Sequence, residues 1–101
     1  MCTPGARLYD SPVRVRVELF GVPRLLTGRR AIEIETPGAS LGEVARALGQ
    51  ACPELRGRVL DPAGWLLDGY LFAVGERFTR DAAATVPSDT PVLLVASSAG
   101  G

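Results

Sequence analysis

Histidine, lysine and asparagine do not occur in this 101-residue chain. Without His there is no imidazole base, so Ser-His-Asp and Cys-His constellations cannot be built within the chain, and neither can His-ligated metal sites. Without Lys there is no Schiff-base amine and no side-chain ammonium to receive an isopeptide bond. A GC-rich coding sequence accounts for the missing Lys and Asn, whose codons are AT-rich. Cysteine is scarce: Cys2 and Cys52 are too few and too far apart for a disulfide framework or a zinc site. They read as a spectator thiol and a small core residue, because a reactive thiolate needs an electropositive pocket. No metal site and no bound cofactor are expected. There is no run of 18 apolar residues, and the opening "MCTPGARLYDSP" has no apolar h-region. The expectation is a soluble, cytoplasmic protein without a membrane partner.

Eleven arginines stand against eleven acids, so the net charge is zero and no large positive field is available to bind nucleic acid. Hydrophobic residues make up 47% and charged ones 22%, the composition of a folded domain, and the length suits a single core.

Residues 1–12 carry Pro4, Gly5, Ser11 and Pro12 without periodicity and read as a flexible lead-in. "VRVRVEL" then alternates strictly, placing Val13, Val15, Val17 and Leu19 on one face of a strand. "GVPRLLTGRR", with Gly21, Pro23 and Gly28, reads as a long hairpin connection to a second alternating strand, "AIEIE", with Ile32 and Ile34 inward. Ser40 and Glu43 form a capping-box signature, and Leu41, Val44, Ala45 and Leu48 give the following helix one apolar stripe. "PELRGRVL" reads as a short further turn of helix with Leu55 and Val59 inward, and "DPAGW" as a loop. "GYLFAVG" is a third strand, apolar on both faces and therefore central or covered on both sides. The connector after it has room for a short edge strand around Phe78, and "VLLVA" is the last strand. Asp61, Asp68 and Asp89 read as turn formers.

The order defines an α+β domain over residues 13–96, with one principal helix packed on one face of a four- to five-stranded sheet. A two-layer arrangement leaves the other face open. One of the pairs Val92/Leu94 or Leu93/Val95 should therefore face solvent unless a partner docks there, which makes Val92 and Leu94 partner-docking candidates. Arg14 and Arg16 stems or the Trp65 loop are the alternative cover. Trp65 reads equally as a partner anchor and as a cap over the edge of the core.

Residues 97–101, "SSAGG", follow the last core-forming run as a flexible tail. Ser98, Ala99, Gly100 and Gly101 are small enough to thread a narrow slot in another protein, with Gly101 carrying an α-carboxylate that is ionised at neutral pH. From Val13 to Gly101 the chain resembles the ubiquitin-like β-grasp sulfur carriers of the MoaD/ThiS family. The features that carry the resemblance are "VRVRVELFG", "ASLGEVARAL", "PELRGRV", "YLFAVG", the turn holding Asp89 and the terminal Gly-Gly. It implies a mixed β-grasp sheet and a carrier that is not itself a catalyst. It also implies an E1-like adenylyltransferase of the MoeB/ThiF type that spends ATP to adenylate Gly101, a sulfur donor that displaces AMP to leave a thiocarboxylate, and a synthase that consumes the sulfur.

Many molybdopterin synthase small subunits carry Pro-Pro shortly before Gly-Gly, where this chain has Ala96, Ser97 and Ser98. The turn "PSDTP" lacks the family's common Gly before Asp and adds Pro91. With the extra length at 1–12 and around "DPAGWLLDG", these departures point to a specialised carrier, for cysteine or another sulfur-containing metabolite. The alternatives are a molybdopterin synthase small subunit proper, a ubiquitin-like modifier joined to lysines of other proteins, and a β-grasp interaction module whose glycines are inert.

Overall fold

The computed structural model describes residues 13–87 and 89–96. The expected lead-in 1–12 and the tail 97–101 lie outside the described residues. Five strands form one mixed sheet: β1 (Val13–Leu19), β2 (Ala31–Thr36), β3 (Tyr70–Val74), β4 (Arg77–Thr79) and β5 (Val92–Ala96), in the order β2-β1-β5-β3-β4. The alternating β1 pattern sets its register against β2, antiparallel, with Val15 opposite Ile34 and Val17 opposite Ile32. β5 enters between β1 and β3. It runs parallel to β1, with Val17 opposite Val92 and Leu19 opposite Leu94, and antiparallel to β3, with Phe72 opposite Leu94. "YLFAV" and "VLLVA" are apolar throughout, whereas the outer faces of β1 and β2 carry Arg14, Arg16, Glu33 and Glu35. β4 is the short edge strand around Phe78.

The principal helix, α2 (Leu41–Ala51), lays Leu41, Val44, Ala45 and Leu48 on the sheet, all four fully buried. Its start is secured in full. Ser40 Oγ accepts from Glu43 N–H at 3.2 Å while Ser40 N–H donates to Glu43 Oε1 at 3.3 Å, the two halves of a capping box. The amides of Leu41 and Gly42 donate to the carbonyls of Ala84 and Ala82 at 2.8 and 2.9 Å, and Val44 N–H donates to Ser40 O at 3.0 Å. The four donors that a helix start exposes are thus all occupied, two of them by the connector between β4 and β5. Below α2, a 3-10 turn (Pro53–Leu55) and its sequel close the core with Leu55, Val59 and Leu60, all fully buried.

The connection between β1 and β2 differs from the open loop expected of "GVPRLLTGRR". It holds a short helix, α1 (Val22–Thr27). The residues read as breakers stand at its ends. Gly21 is the N-cap at φ 67°, Pro23 occupies the first turn where its missing N–H costs nothing, and Gly28 closes the helix at φ 71°, donating to Arg24 O at 2.8 Å. Pro23 is buried and Leu26 packs against the core, so tertiary contact sustains a helix too short to persist alone.

Candidate functional site

The geometry around Ala96, the last described residue of β5, bears on the tail residues. Ser98, Ala99, Gly100 and Gly101, assigned to threading and attachment, lie outside the described residues. What precedes them is firmly held. Ala96 stands opposite Tyr70 of β3, and on the other side of β5 Phe20 N–H donates to Leu94 O at 3.2 Å, extending the β1 ladder past Leu19.

Tyr70 is itself fixed by a side chain that the sequence reading did not single out. The Arg80 guanidinium reaches back over the 66–70 loop. Its Nη1 donates to Leu67 O at 3.2 Å and also to Tyr70 O, and its Nη2 donates to Leu66 O at 3.2 Å. One planar fork thus gathers three carbonyls of a single turn of chain. A contact ten to fourteen residues away in sequence leaves no periodic signal, so nothing in the local pattern marks Arg80.

Val92 and Leu94, named as docking candidates, are core residues with no exposed surface, and they face Val17, Leu19 and Phe72. The correction follows from pleat parity. β5 shares its inward phase with the odd-numbered residues of β1, which leaves Leu93 and Val95 as the half-exposed pair on the outer face. That face divides in two. Over β1 and β2 it is charged, with an Arg14–Glu35 ion pair at 3.1 Å and an Arg16–Glu18 pair at 3.4 Å. Over β5, β3 and β4 it is apolar, with Leu71 opposite Val95, Ala73 opposite Leu93, and Phe78 beside Ala73. The arginine stems stand over β1, where Glu18, the partner of Arg16, is opposite Leu93.

Trp65 is half-buried, packs on the core and meets Phe72 edge to face with ring centroids 5.9 Å apart. Its loop is fixed locally, since Asp61 Oδ1 accepts from Trp65 N–H at 2.9 Å. Of the two readings of Trp65, this geometry is that of the core cap. Asp89, at φ 61°, takes the left-handed turn conformation that Asp tolerates. Near it, where β5 has not yet begun alongside β1, a groove of about 680 Å³ opens between Arg14, Arg16 and Glu33 and the 86–91 segment. It lies by the start of β1, at the far end of β5 from Ala96.

Cys52 is buried, as a small core residue. Burial, and after it the Glu54 carboxylate, push its thiol up from its ordinary pKa, with Arg29 pulling partly the other way. That direction suits an inert thiol. Among the described residues no group of three or more His, Cys, Asp or Glu side chains could hold a metal ion, and no helix is long and apolar enough to cross a membrane.

A mixed five-stranded sheet with a parallel pair at its centre and one helix crossing a single face is the ubiquitin-like β-grasp fold, as expected from the sequence. Among solved structures the chain is similar to small archaeal modifier protein 1 (SAMP1) of Haloferax volcanii. The identity is 21% over 87% of this chain and 99% of that one, with a TM-score of 0.73. SAMP1 of Methanosarcina acetivorans aligns at 17% identity over 89% of this chain and 98% of that one, TM-score 0.70. No family model and no curated protein matches the chain. These likenesses show the fold.

Proposed function

We propose that this protein is a sulfur carrier. A partner E1-like adenylyltransferase of the MoeB/ThiF type activates the Gly101 carboxylate, and the resulting thiocarboxylate donates sulfur in cofactor or metabolite biosynthesis. The observation that carries the reading is the placement of Ala96: it ends a strand held on both sides in the middle of a β-grasp sheet, and the residues that follow it in sequence are Ser97, Ser98, Ala99, Gly100 and Gly101. A rigid strand followed by residues with little or no side chain suits delivery of a carboxylate into another protein's active site.

The chemistry balances as follows. A Gly101 carboxylate oxygen attacks the α-phosphorus of ATP and pyrophosphate leaves, forming an acyl adenylate. Hydrosulfide from the donor attacks the Gly101 carbonyl carbon, the bond to AMP breaks, and a thiocarboxylate remains. Activation is required because a carboxylate has no leaving group to match AMP. The ATP belongs to the activating enzyme and no cofactor of the carrier enters either step.

Intact mass spectrometry of the protein with the host's E1-like enzyme, ATP and sulfide tests the proposal, and the same spectrum checks that Gly101 carries a free carboxylate. The mass should rise by the difference between sulfur and oxygen, with fragmentation placing the change on Gly101. A variant lacking Gly101 that gains the same mass refutes it.

The name that SAMP1 carries, a modifier protein, motivates a second reading in which the same adenylate is passed to lysines of other proteins. Covalent adducts that survive denaturing gels and depend on Gly101 would favour it. Having no Lys, the chain could not extend side-chain-linked chains of itself.

A further inference from the structure

The zero net charge conceals a segregation. Of the eleven arginines, Arg24, Arg29, Arg30, Arg56 and Arg58 belong to α1, the turn after it and the 3-10 segment, and of the eleven acids these stretches hold Glu54 alone. α1 packs directly on the 3-10 turn, so the two stretches form one end of the molecule. All five arginines are exposed, and none makes an ion pair among the described residues. Glu54, the one acid within these stretches, makes no ion pair among the described residues, and of the acids that flank them in sequence Glu18 pairs with Arg16 while Asp61 accepts from Trp65 N–H.

Part of this charge has a structural use. Arg29 acts on Cys52 at the C-terminal end of α2, and Arg56 lies against Gly49 in its last turn, where positive charge complements the helix dipole. A dipole end presents only about half an elementary charge. Arg24 stands in the last turn of the short helix α1, and Arg30 and Arg58 stand in no helix.

The same end carries a group of exposed apolar side chains. Phe20 at 40%, Val22 at 42% and Leu25 at 81% relative exposure are three of the four large hydrophobics left open among the described residues. α1 also touches β5, so the surface adjoins the strand that leads to the tail.

We propose that the α1 end is a docking surface for the activating enzyme, which meets Arg24, Arg30 and Arg58 with an acidic rim and takes Leu25 and Val22 into an apolar pocket. This inference rests on the sulfur-carrier reading and supplies the contact that brings Gly101 to the adenylating site. Exposed apolar side chains beside like charges without ion pairs among the described residues suit a protein partner of opposite sign. An anionic membrane fits less well, since a six-residue helix presents too little apolar surface to hold in an interface.

The test is ATP–pyrophosphate exchange by each purified E1-like enzyme of the host, with the full chain as the varied substrate. Arg24→Glu/Arg30→Glu/Arg58→Glu and, separately, Leu25→Asp should each raise KM for the carrier at least about tenfold, with kcat changed less than about twofold. Added salt should raise the wild-type KM and leave that of the triple variant flat. Arg77→Glu on β4 serves as the charge control, and unchanged circular dichroism and melting temperature exclude misfolding. If wild type is exchanged and the triple variant matches it in KM, the docking surface is wrong and the carrier reading stands. If no enzyme exchanges wild type, the carrier reading falls and the docking proposal with it. Binding of wild type, lost in the triple variant, to phosphatidylglycerol vesicles or duplex RNA, with KM unaffected, reassigns the patch and overturns the proposal.

Discussion

Arg80, directly after β4, ties down the 66–70 loop and the start of β3, and replacing it with Met keeps the stem while removing every side-chain donor. Hydrogen bonds from charged groups contribute about 1.5–3 kcal/mol when buried. Two of the Arg80 bonds are exposed and the third, to Leu66 O, is part-buried, with the side chain 39% accessible. Discounting for solvent gives about 0.5 kcal/mol for each exposed bond and about 1 for the part-buried one, so the loss is about 2 kcal/mol. In a domain of this size that lowers Tm by about 8–16 °C. Asp68 lies 4.0 Å from Arg80 Nη2 but is fully exposed, so Asp68→Ala should leave Tm unchanged. Arg80→Lys, with one point-like ammonium in place of a fork, should recover no more than about half of the loss. Thermal and urea unfolding give the magnitudes. Hydrogen exchange should show the change as faster opening of the amides around Tyr70 and Ala96, ahead of the β1–β2 pair. If Arg80→Met melts with wild type, or the effect tracks Asp68, the guanidinium fork is not what holds the loop.

Three further outcomes follow from the core and the helix start. Ser40→Ala should cost about 1 kcal/mol by urea unfolding, and adding Glu43→Ala should cost less than the sum of the single changes, because the two side chains serve one capping box. Phe72→Ala should cost about 3–5 kcal/mol and red-shift the emission of Trp65, the chain's one tryptophan, by removing the ring it packs on; an unshifted spectrum would contradict that contact. Cys52, its thiol pKa raised chiefly by burial, sets an alkaline limit. Above about pH 8.5 the unfolded chain gives up the thiol proton while the folded one retains it, so stability falls with rising pH. Cys52→Ala should flatten that decline, and parallel wild-type and variant curves would refute the assignment.

The two-residue period of "VRVRVEL" and "AIEIE" specified which side of each strand meets the helix, and Ser40 with Glu43 marked where that helix begins. These signals are local, and the structure agrees with them residue by residue. The reading of α1 went astray because Gly21, Pro23 and Gly28 are turn formers in isolation, and become helix boundaries only when Pro23 and Leu26 find the core. The parity of β5 was open for a different reason. "VLLV" is apolar at every position, so periodicity cannot choose between its faces, and pairing with β1 and β3 decides that Val92 and Leu94 go inward. Arg80 and the arginine-rich α1 end were hidden by distance in sequence: one reaches back over a loop, the other joins residues 22–30 to residues 53–58.

Under the proposed carrier function, β5 and α1 would share the work. β5 is central, pairs with β1 near its start and with β3 through to Ala96, and is thereby the element least free to move relative to the core. Any force applied to the tail is met by ladders on both sides. Exposed arginines and exposed apolar side chains gather at the α1 end, and α1 touches β5. A partner gripping α1 would hold a surface whose position relative to Ala96 is fixed by those ladders. Only the five residues after Ala96 would then need to be guided into a slot. Small residues suit a narrow slot, and fixing any peptide, glycines most of all, in one conformation costs entropy. A docking surface on the rigid body offsets that loss, because it supplies binding energy without asking the tail itself to make contacts.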